Sequence, residues 1–172
     1  IGTPDHMHAP PAVTALRAKK HLYLQKPMAP TPYECRVIAK EAAKAGVVTQ
    51  LGNQGRSSVE SRMAVELIRS GAIGKIKEVL IWENKPLNWW PKNTDIQKKA
   101  DAIPTGFDWD RWLGIREARP WFAKTYHPQT WRAWFDFGVG EMGDMGCHHF
   151  DPTFDALKLT APLRVRQTTP EG

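Results

Sequence analysis

Short apolar runs alternate with longer amphipathic stretches over the first fifty residues of the chain. The periodicity predicts helices over residues 8–19 and 31–45, and strands over residues 21–24 and 47–51, with a further strand ending at residues 1–2. Strands that alternate with helices in this way pair in parallel through right-handed crossovers. The pattern therefore predicts an α/β fold with a parallel sheet.

The second of these helices carries sequence signals at both ends. Thr31 and Glu34 have the spacing of a capping box, and Pro32 occupies the first helical position, where a missing N–H has no cost. Gly46 follows the last apolar position, as a glycine that closes a helix does. These signals predict a helix that starts after Thr31 and ends before Gly46.

The pattern changes after Gly55. Ser57 and Ser58 are candidate N-caps for a helix over residues 59–69, and alternating apolar positions predict a strand over 75–85 with one face packed. Further on, the sequence predicts a Pro- and Trp-rich stretch over 86–130, a short helix over 109–113, a helix from about residue 140 and a strand over 163–168. We place a domain boundary near Gly55, where the pattern changes, and it divides the chain into residues 1–54 and 55–172.

Polar side chains follow each of the first three predicted strands. They lie in residues 3–8, at Gln25 and Lys26, and at Asn53. Ligands of open parallel sheets bind outside the carboxyl ends of the strands, so these clusters predict a binding crevice. Pro27 disfavours the α-helical conformation for Lys26, which would aim the ammonium group at a ligand and suit it to proton transfer. The alternative is that Lys26 is an ordinary solvated lysine.

A glycine-rich segment over residues 138–151 is the second informative stretch. Asp144 and His148 are four residues apart, so a helix places them on one face, where the carboxylate would hold the imidazole as a general base. The alternative is a surface ion pair. Asp151 would extend the face into a metal site, but Asp151 before Pro152 is also typical of a helix start. The glycines indicate a close approach by another backbone or a ligand.

Composition narrows the classes of partner. The net charge is +6 and the pI is about 9.4, but basic residues are scattered among acidic ones, which favours a solvated surface over nucleic-acid binding. No apolar run is long enough to span a membrane. Cys35 and Cys147 form no metal-binding spacing, and we expect free thiols in a reducing, cytoplasmic compartment. Because the chain begins at Ile1 without Met, we expect a piece of a longer protein, and export stays open.

Four motifs together resemble one known family. Residues 3–9, Gln25-Lys26-Pro27, residues 52–54 and Asp144-x-Gly146-x-His148 are similar to the glucose–fructose oxidoreductase and inositol dehydrogenase family (Gfo/Idh/MocA). The resemblance implies an N-terminal Rossmann domain that binds NAD or NADP and a C-terminal α/β domain whose open sheet supports homo-oligomers. Residues 1–54 would be the second half of the first domain, and residues 55–172 the first part of the second. The glycine-rich dinucleotide fingerprint is absent from this chain.

The resemblance also implies roles for individual residues. The catalytic residues would be Lys26, Asp144 and His148. The cofactor would contact Thr3, Pro4, Asp5, His8, Gln25, Lys26 and Asn53. The aromatic segment over residues 126–138 resembles that of sugar-active bacterial members, so the substrate would contact Tyr126, Trp131, Arg132 and His149. No metal ligand is implied. Gln25 replaces the usual glutamate and Arg56 a histidine, which leaves the charge near Lys26 and the substrate class open.

The function predicted on this basis is an NAD(P)-dependent oxidoreductase that transfers a hydride between the cofactor and a sugar, cyclitol or sugar derivative. We expect the chain by itself to be inactive. Three alternatives stay open: a glycosidase or lyase that uses tightly bound NAD transiently, a metal-dependent hydrolase, and a non-catalytic sugar-binding protein. The metal-dependent enzyme would use Asp144, His148 and Asp151.

Overall fold

The computed structural model describes residues 1–83 and 99–166. The helices among them are α1 (Ala9–Arg17), α2 (Pro32–Ala45), α3 (Val59–Arg69), α4 (Trp109–Leu113) and α5 (Gly140–Leu157), and the strands are β1 (Leu22–Gln25) and β2 (Thr49–Gly52). Short 3-10 helices cover Asp5–Met7, Gln54–Ser57 and Thr130–Ala133. The chain forms two compact units, the first built from Ile1–Gln54 and Trp82–Cys147 and the second from Gly55–Ile81 and His148–Gly172.

The sheet of the first unit is parallel, as the sequence predicts. Leu22 of β1 pairs with Thr49 of β2, and Gln25 pairs with Gly52. Ile1 lies along the other edge of β1, because the Gln25 N–H donates to the Ile1 carbonyl at 3.0 Å. The carboxyl ends of the parallel strands therefore lie at the same edge of the sheet, and the segments that follow the strands begin there.

Apolar side chains from α1, α2 and β1 form the core of this sheet. Leu16 of α1 is fully buried. Ile38 of α2 and Leu22 and Leu24 of β1 are also buried, with at most 7% of each residue exposed. Tyr23, between the two strand leucines, is exposed. Burial of alternate residues on one face is the ordinary way a strand packs against helices. The predicted α/β fold class is confirmed.

The end signals of α2 are confirmed in detail. The Glu34 N–H donates to Thr31 Oγ1 at 3.2 Å, and the Thr31 N–H donates to Glu34 Oε2 at 3.1 Å. Gly46 has a φ of 64°, a left-handed conformation that glycine adopts without a steric penalty. The helix starts and ends where local chemistry satisfies its free backbone groups.

The aromatic residues of the first unit pack with one another. Trp109 stacks on Trp112 and on Tyr126, with ring centroids 4.9 and 5.6 Å apart. The buried members of this aromatic cluster are Trp109, Leu113, Trp121, Phe122, Tyr126, Trp131 and Phe137. Large buried rings contribute most of the apolar area that such a cluster removes from water. These aromatic side chains therefore belong to the core of the first unit.

The strand predicted over residues 75–85 is wrong for residues 75–83, which have no regular structure. Most of its large apolar side chains are exposed, including Leu80 and Trp82. Alternation of apolar and polar residues favours a strand only where a neighbouring strand accepts its hydrogen bonds, and the described residues provide none here. Residues 163–166 are also irregular. Residues 84–85 and 167–168 lie outside the described residues.

In the second unit, acidic residues of α5 bind arginines. Arg56 Nε lies 3.2 Å from Asp151 Oδ2, and both Arg56 and Arg69 pair with Asp155. The helix continues through Pro152, so the interpretation of Asp151 as an N-cap is wrong. A proline inside a helix removes one backbone hydrogen bond without always ending the helix. Local sequence could not separate these two outcomes.

Candidate active site

The first unit contains a cavity of about 680 Å³ at the carboxyl ends of its strands. This volume suits a small polar ligand. The residues that line it come from the segment after residue 1, the end of β1 and the loop after it, α4, residues 127–132 and α5. They are Gly2, Thr3, Pro4, Asp5, Gln25, Lys26, Trp112, His127, Pro128, Gln129, Trp131, Arg132 and Asp144. We refer to this cavity as the strand-end pocket.

Lys26 and Asp144 meet in the strand-end pocket. Lys26 is the first residue after β1, and its Nζ donates to the Asp144 backbone carbonyl at 2.6 Å and to the Asp144 carboxylate. The two side chains are only 15% and 7% exposed. A buried charge needs an opposite charge or hydrogen bonds to offset its desolvation, and each residue provides both for the other. Two residues predicted to be catalytic are thus in direct contact.

Arg132 brings a second cation to Asp144. Its Nε lies 3.2 Å from Asp144 Oδ2, and its guanidinium group lies 4.3 Å from the ring centre of Trp131. A Cβ atom added to Gly138 would lie 2.6 Å from the Arg132 Cα atom. The expectation that a glycine of this segment permits a close backbone approach is confirmed at Gly138. Trp131 and Arg132 both line the pocket, where they were predicted to contact substrate.

Asp5 is buried in the strand-end pocket and is only 4% exposed. Burial raises the pKa of its carboxyl to about 7, and the negative charge of Asp144 raises the pKa further, while Lys26 and Arg132 act in the opposite direction. The Val139 N–H donates a hydrogen bond to this carboxyl. Near neutral pH, Asp5 therefore exists in both its acid and its ionised forms.

His8 lies behind the pocket. Its Nδ1 is 2.7 Å from the Pro27 carbonyl and its Nε2 is 2.9 Å from the Thr3 carbonyl, so the ring joins two of the loops that carry pocket residues. Burial lowers the pKa of His8. His6 is also buried and contacts the carbonyls of Trp112 and Leu113, and burial likewise lowers its pKa. Both histidine rings thus contact backbone carbonyls of segments that carry pocket residues.

The remaining residues predicted to bind cofactor differ in position. Thr3, Pro4 and Gln25 line the pocket. The Gln25 amide oxygen accepts a hydrogen bond from Gln54 Nε2 at 3.1 Å. Asn53 does not line the pocket, because its Nδ2 donates to the Cys147 carbonyl of α5 at 2.8 Å.

Three residues predicted to act at the site are not among those that line the strand-end pocket. Tyr126 is 1% exposed within the aromatic cluster and does not line the pocket. His148 and His149 are half-buried residues of α5 that belong to the second unit. Their predicted roles as base and substrate contact stay predictions.

Five lining residues were missed by sequence reasoning. They are Gly2, Trp112, His127, Pro128 and Gln129. All but Gly2 and Trp112 fall between the predicted substrate residues Tyr126 and Trp131, so proximity in sequence was the available signal. Trp112 carries no such signal, since its neighbours Trp109 and Leu113 are core residues.

The parts of the chain that the structure describes contain no cluster of potential metal ligands. No three His, Cys, Asp or Glu side chains come together there as metal ligands would. Asp144 and Asp151, two members of the metal set considered from sequence, pair with Lys26 and Arg56 instead. Across the same residues, no helix combines the length and hydropathy that crossing a bilayer requires.

Parallel strands with a polar pocket at their carboxyl ends define an α/β protein, and ligands of open parallel sheets bind at this end of the strands. Comparison with known families agrees. Residues 1–53 match the model described as "Oxidoreductase family, NAD-binding Rossmann fold", and residues 57–171 match the one described as "Oxidoreductase family, C-terminal alpha/beta domain". The chain belongs to the Gfo/Idh/MocA oxidoreductase family. The predicted family is confirmed, and its description is that of an oxidoreductase family with an NAD-binding Rossmann domain.

Three curated relatives illustrate the range of this family. The chain is 32% identical over 95 residues to 2,7-anhydro-N-acetylneuraminate hydratase of Escherichia coli (strain K12), covering 52% of this chain and 26% of the relative. It is 31% identical over 97 residues to levoglucosan dehydrogenase of Pseudarthrobacter phenanthrenivorans, covering 52% and 25%. It is 30% identical over 119 residues to alpha-N-acetylgalactosaminidase of Shewanella oneidensis, covering 61% and 25%. The chain spans about a quarter of the length of these relatives.

Proposed function

We propose that the protein containing this chain transfers a hydride between a nicotinamide cofactor and a hydroxyl-bearing carbon of a sugar, cyclitol or sugar derivative. The observation that carries the proposal is the buried contact of Lys26 with Asp144 at the strand-end pocket. A lysine held in this way supplies a fixed positive charge where a ligand oxygen binds. The similarity to levoglucosan dehydrogenase supports a carbohydrate substrate.

The pocket residues fit the nicotinamide end of such a cofactor. Thr3, Pro4 and Gln25 line a cavity of about 680 Å³ with backbone and amide groups, which suit a carboxamide and a ribose. The cofactor supplies the hydride chemistry, and the protein supplies position and electrostatics.

Lys26 stabilises the substrate oxygen in this proposal. Two of its N–H groups are directed at Asp144, which leaves the third for a ligand hydroxyl. A preorganised cation at the oxygen that gains negative charge lowers the barrier to hydride transfer. We propose His148, by the family resemblance, as the group that accepts the hydroxyl proton.

The aromatic segment provides the sugar-binding surface in this proposal. Trp131 presents an indole to the pocket, with the Arg132 guanidinium group over the ring. Aromatic faces pack against the C–H face of a sugar, while guanidinium and amide groups bind its hydroxyls. Gln129 is the amide at this surface. We further propose a cytoplasmic homo-oligomer that assembles through the C-terminal domain and binds no nucleic acid.

A second function is favoured by the relative that shares the longest alignment of the three. That relative is a glycosidase, alpha-N-acetylgalactosaminidase. The same pocket would serve an enzyme that oxidises a glycoside transiently with bound NAD, eliminates the leaving group and reduces the product again. Such a reaction releases a cleaved glycoside and no free NADH.

One experiment separates these functions. The protein expressed from its complete gene is denatured, and the supernatant is assayed for released nicotinamide cofactor. The native protein is then incubated with a panel of sugars, anhydrosugars and aryl glycosides, with NADH absorbance and glycoside cleavage followed together. NADH accumulation supports the dehydrogenase, and cleavage without NADH supports the glycosidase. Absence of both, with no cofactor bound on titration, contradicts the proposal.

A further inference from the structure

His127 lines the strand-end pocket and is held there by two aromatic rings. Its imidazole stacks on Phe107, with ring centroids 5.0 Å apart, and lies edge-on to Trp112 at 6.3 Å. Phe107 in turn packs against Trp109 and Trp121 of the aromatic cluster. The orientation of the imidazole is therefore set by packing against the core of the first unit.

The ring nitrogens of His127 are not used within the protein as far as the structure describes it. Among residues 1–83 and 99–166, they have no hydrogen-bond or ion-pair partner. His6, His8 and His21 of the same unit each contact a backbone group. A neutral imidazole carries one N–H donor and one acceptor nitrogen. Because His127 is half-buried, packing removes part of its contact with water, and a ligand can replace the hydrogen bonds that water made.

Trp112 also brings an unused polar group to the pocket. Its ring stacks on Trp109 and lies edge-on to Phe137, with centroids 4.9 Å apart in both cases, so the indole is held by the same core. The indole N–H groups of Trp109 and Trp131 each donate to a backbone carbonyl. In the described parts of the chain, the Trp112 indole N–H has no such acceptor. Two neighbouring rings of the pocket thus share this property.

A sugar hydroxyl is complementary to these two rings. A hydroxyl group donates one hydrogen bond and also accepts, so a site that binds it fully offers an acceptor and a donor. The His127 imidazole offers an acceptor nitrogen, and the Trp112 indole offers an N–H. Both side chains are fixed by stacking, so few rotamers are lost when a ligand binds.

We propose that His127 and Trp112 bind one hydroxyl group of the sugar, other than the hydroxyl at the reacting carbon, and that this contact determines which sugars are accepted. The imidazole accepts a hydrogen bond from the hydroxyl, and the indole N–H donates to its oxygen. The proposal rests on the proposed function, in which Lys26 binds the reacting oxygen. Lys26 comes from the loop after β1, so the sugar is oriented by contacts from separate segments.

Removal of single substrate hydroxyls tests this pair. The protein expressed from its complete gene is assayed with the sugar that the panel identifies and with its monodeoxy analogues, each of which lacks one hydroxyl. A site that hydrogen-bonds a hydroxyl rejects the analogue without it. For one analogue altered away from the reacting carbon, kcat/KM of the native protein should fall at least about tenfold, mainly through KM. His127→Phe keeps a ring to stack on Phe107 but has no nitrogen, and it should use this analogue and the parent sugar to within about twofold of each other.

Further variants separate hydrogen bonding from packing. Trp112→Phe should lose discrimination against the same analogue as His127→Phe does. His127→Asn and His127→Gln place an amide near one or the other ring nitrogen, and one of them should restore part of the discrimination. Trp134→Phe is the matched control, because it removes an indole N–H that donates to the Thr125 carbonyl, and Trp134 does not line the pocket. Its discrimination should equal that of the native protein even where its stability falls.

The outcomes distinguish this pair from the proposed function. Native discrimination that persists in His127→Phe and Trp112→Phe overturns the hydroxyl-binding pair while the proposed function stands. If one of these variants does not fold, the other decides. If no sugar of the panel reacts, the proposed function fails, and calorimetry then measures the binding of the panel sugars to the native protein and to His127→Phe. Absence of binding, or equal affinities of the two proteins for every sugar, overturns the pair as well.

Discussion

Lys26 and Asp144 lie 118 positions apart in the chain, yet Lys26 Nζ donates to both the backbone carbonyl and the carboxylate of Asp144. The contact to the backbone ties the loop after β1 to α5 independently of the Asp144 side chain. The contact to the carboxylate fixes the direction of the ammonium group. One lysine thus joins a strand end to a distant helix and lines the strand-end pocket.

Replacement of Lys26 by alanine should reduce kcat by about 100-fold or more, because it removes the charge that stabilises the substrate oxygen. Binding of the cofactor should change little, since several other lining residues are proposed to hold it. The measurement is steady-state kinetics with the sugar found by the panel, together with cofactor titration. Lys40→Ala, at an exposed position of α2, is the matched control and should keep full activity. Unchanged turnover in Lys26→Ala would remove Lys26 from the proposed mechanism.

Gly138→Ala should displace the backbone of Arg132 and so weaken its ion pair with Asp144. The added Cβ would lie 2.6 Å from the Arg132 Cα atom and 2.7 Å from its carbonyl oxygen, and backbone atoms cannot rotate away. We expect a loss of about 1–3 kcal/mol in the free energy of unfolding, the usual cost of overpacking. Chemical denaturation measures it. Gly55→Ala, where the added atom meets nothing within 4 Å, should change stability little. Equal effects at both positions would contradict the close approach.

Asp5→Asn should stabilise the protein more at pH 8 than at pH 4. In the folded state burial raises the pKa of Asp5 from 3.8 to about 7, so the folded protein binds its proton more tightly than the unfolded chain does. Stability from this group is complete below about pH 4, falls as the pH rises to about 7 and is constant above that. The full effect corresponds to at most about 4 kcal/mol.

Urea denaturation at several pH values tests this sign. The difference in unfolding free energy between Asp5→Asn and the native protein should increase between about pH 4 and about pH 7 and then level off. Asp110→Asn should show no such trend, because that carboxylate is exposed. A difference that shrinks with rising pH would show that the folded state favours the ionised form of Asp5.

Tyr126→Leu should act on stability, because the ring lies inside the aromatic cluster. The side chain is 1% exposed and contacts Trp109, Trp134 and Phe137 at centroid distances of 5.1–5.6 Å. We expect a loss of about 2–4 kcal/mol in unfolding free energy. Tyr33→Leu, at a ring that is 74% exposed, should cost less than about 0.5 kcal/mol. A Tyr126→Leu variant of native stability with a raised KM would instead support the predicted substrate contact.

Local chemistry explains why the first fifty residues were predicted well. The capping box at Thr31 and Glu34, the left-handed Gly46 and the alternating burial of β1 all depend on residues within a few positions of one another. Their hydrogen bonds and packing faces are therefore encoded in adjacent sequence. The strand predicted over residues 75–85 is wrong for residues 75–83, because a strand also needs a neighbouring strand, which local sequence does not specify.

The candidate site could likewise be predicted from the sequence only in part. Lys26, Asp144 and Asp5 were selected from motifs, and their residue types alone indicate proton and charge chemistry. Asp144 is held by Lys26, which is 118 positions away, and by Arg132, and Asp5 is buried near these charges. These arrangements depend on tertiary contacts. The same dependence places Tyr126 in the aromatic cluster and Trp112 at the pocket. Sequence by itself determined the α/β class, the ends of α2 and the family, because these follow from periodicity, caps and motifs. Only the tertiary structure decided which charges are desolvated together, because desolvation is set by every segment that packs around a group.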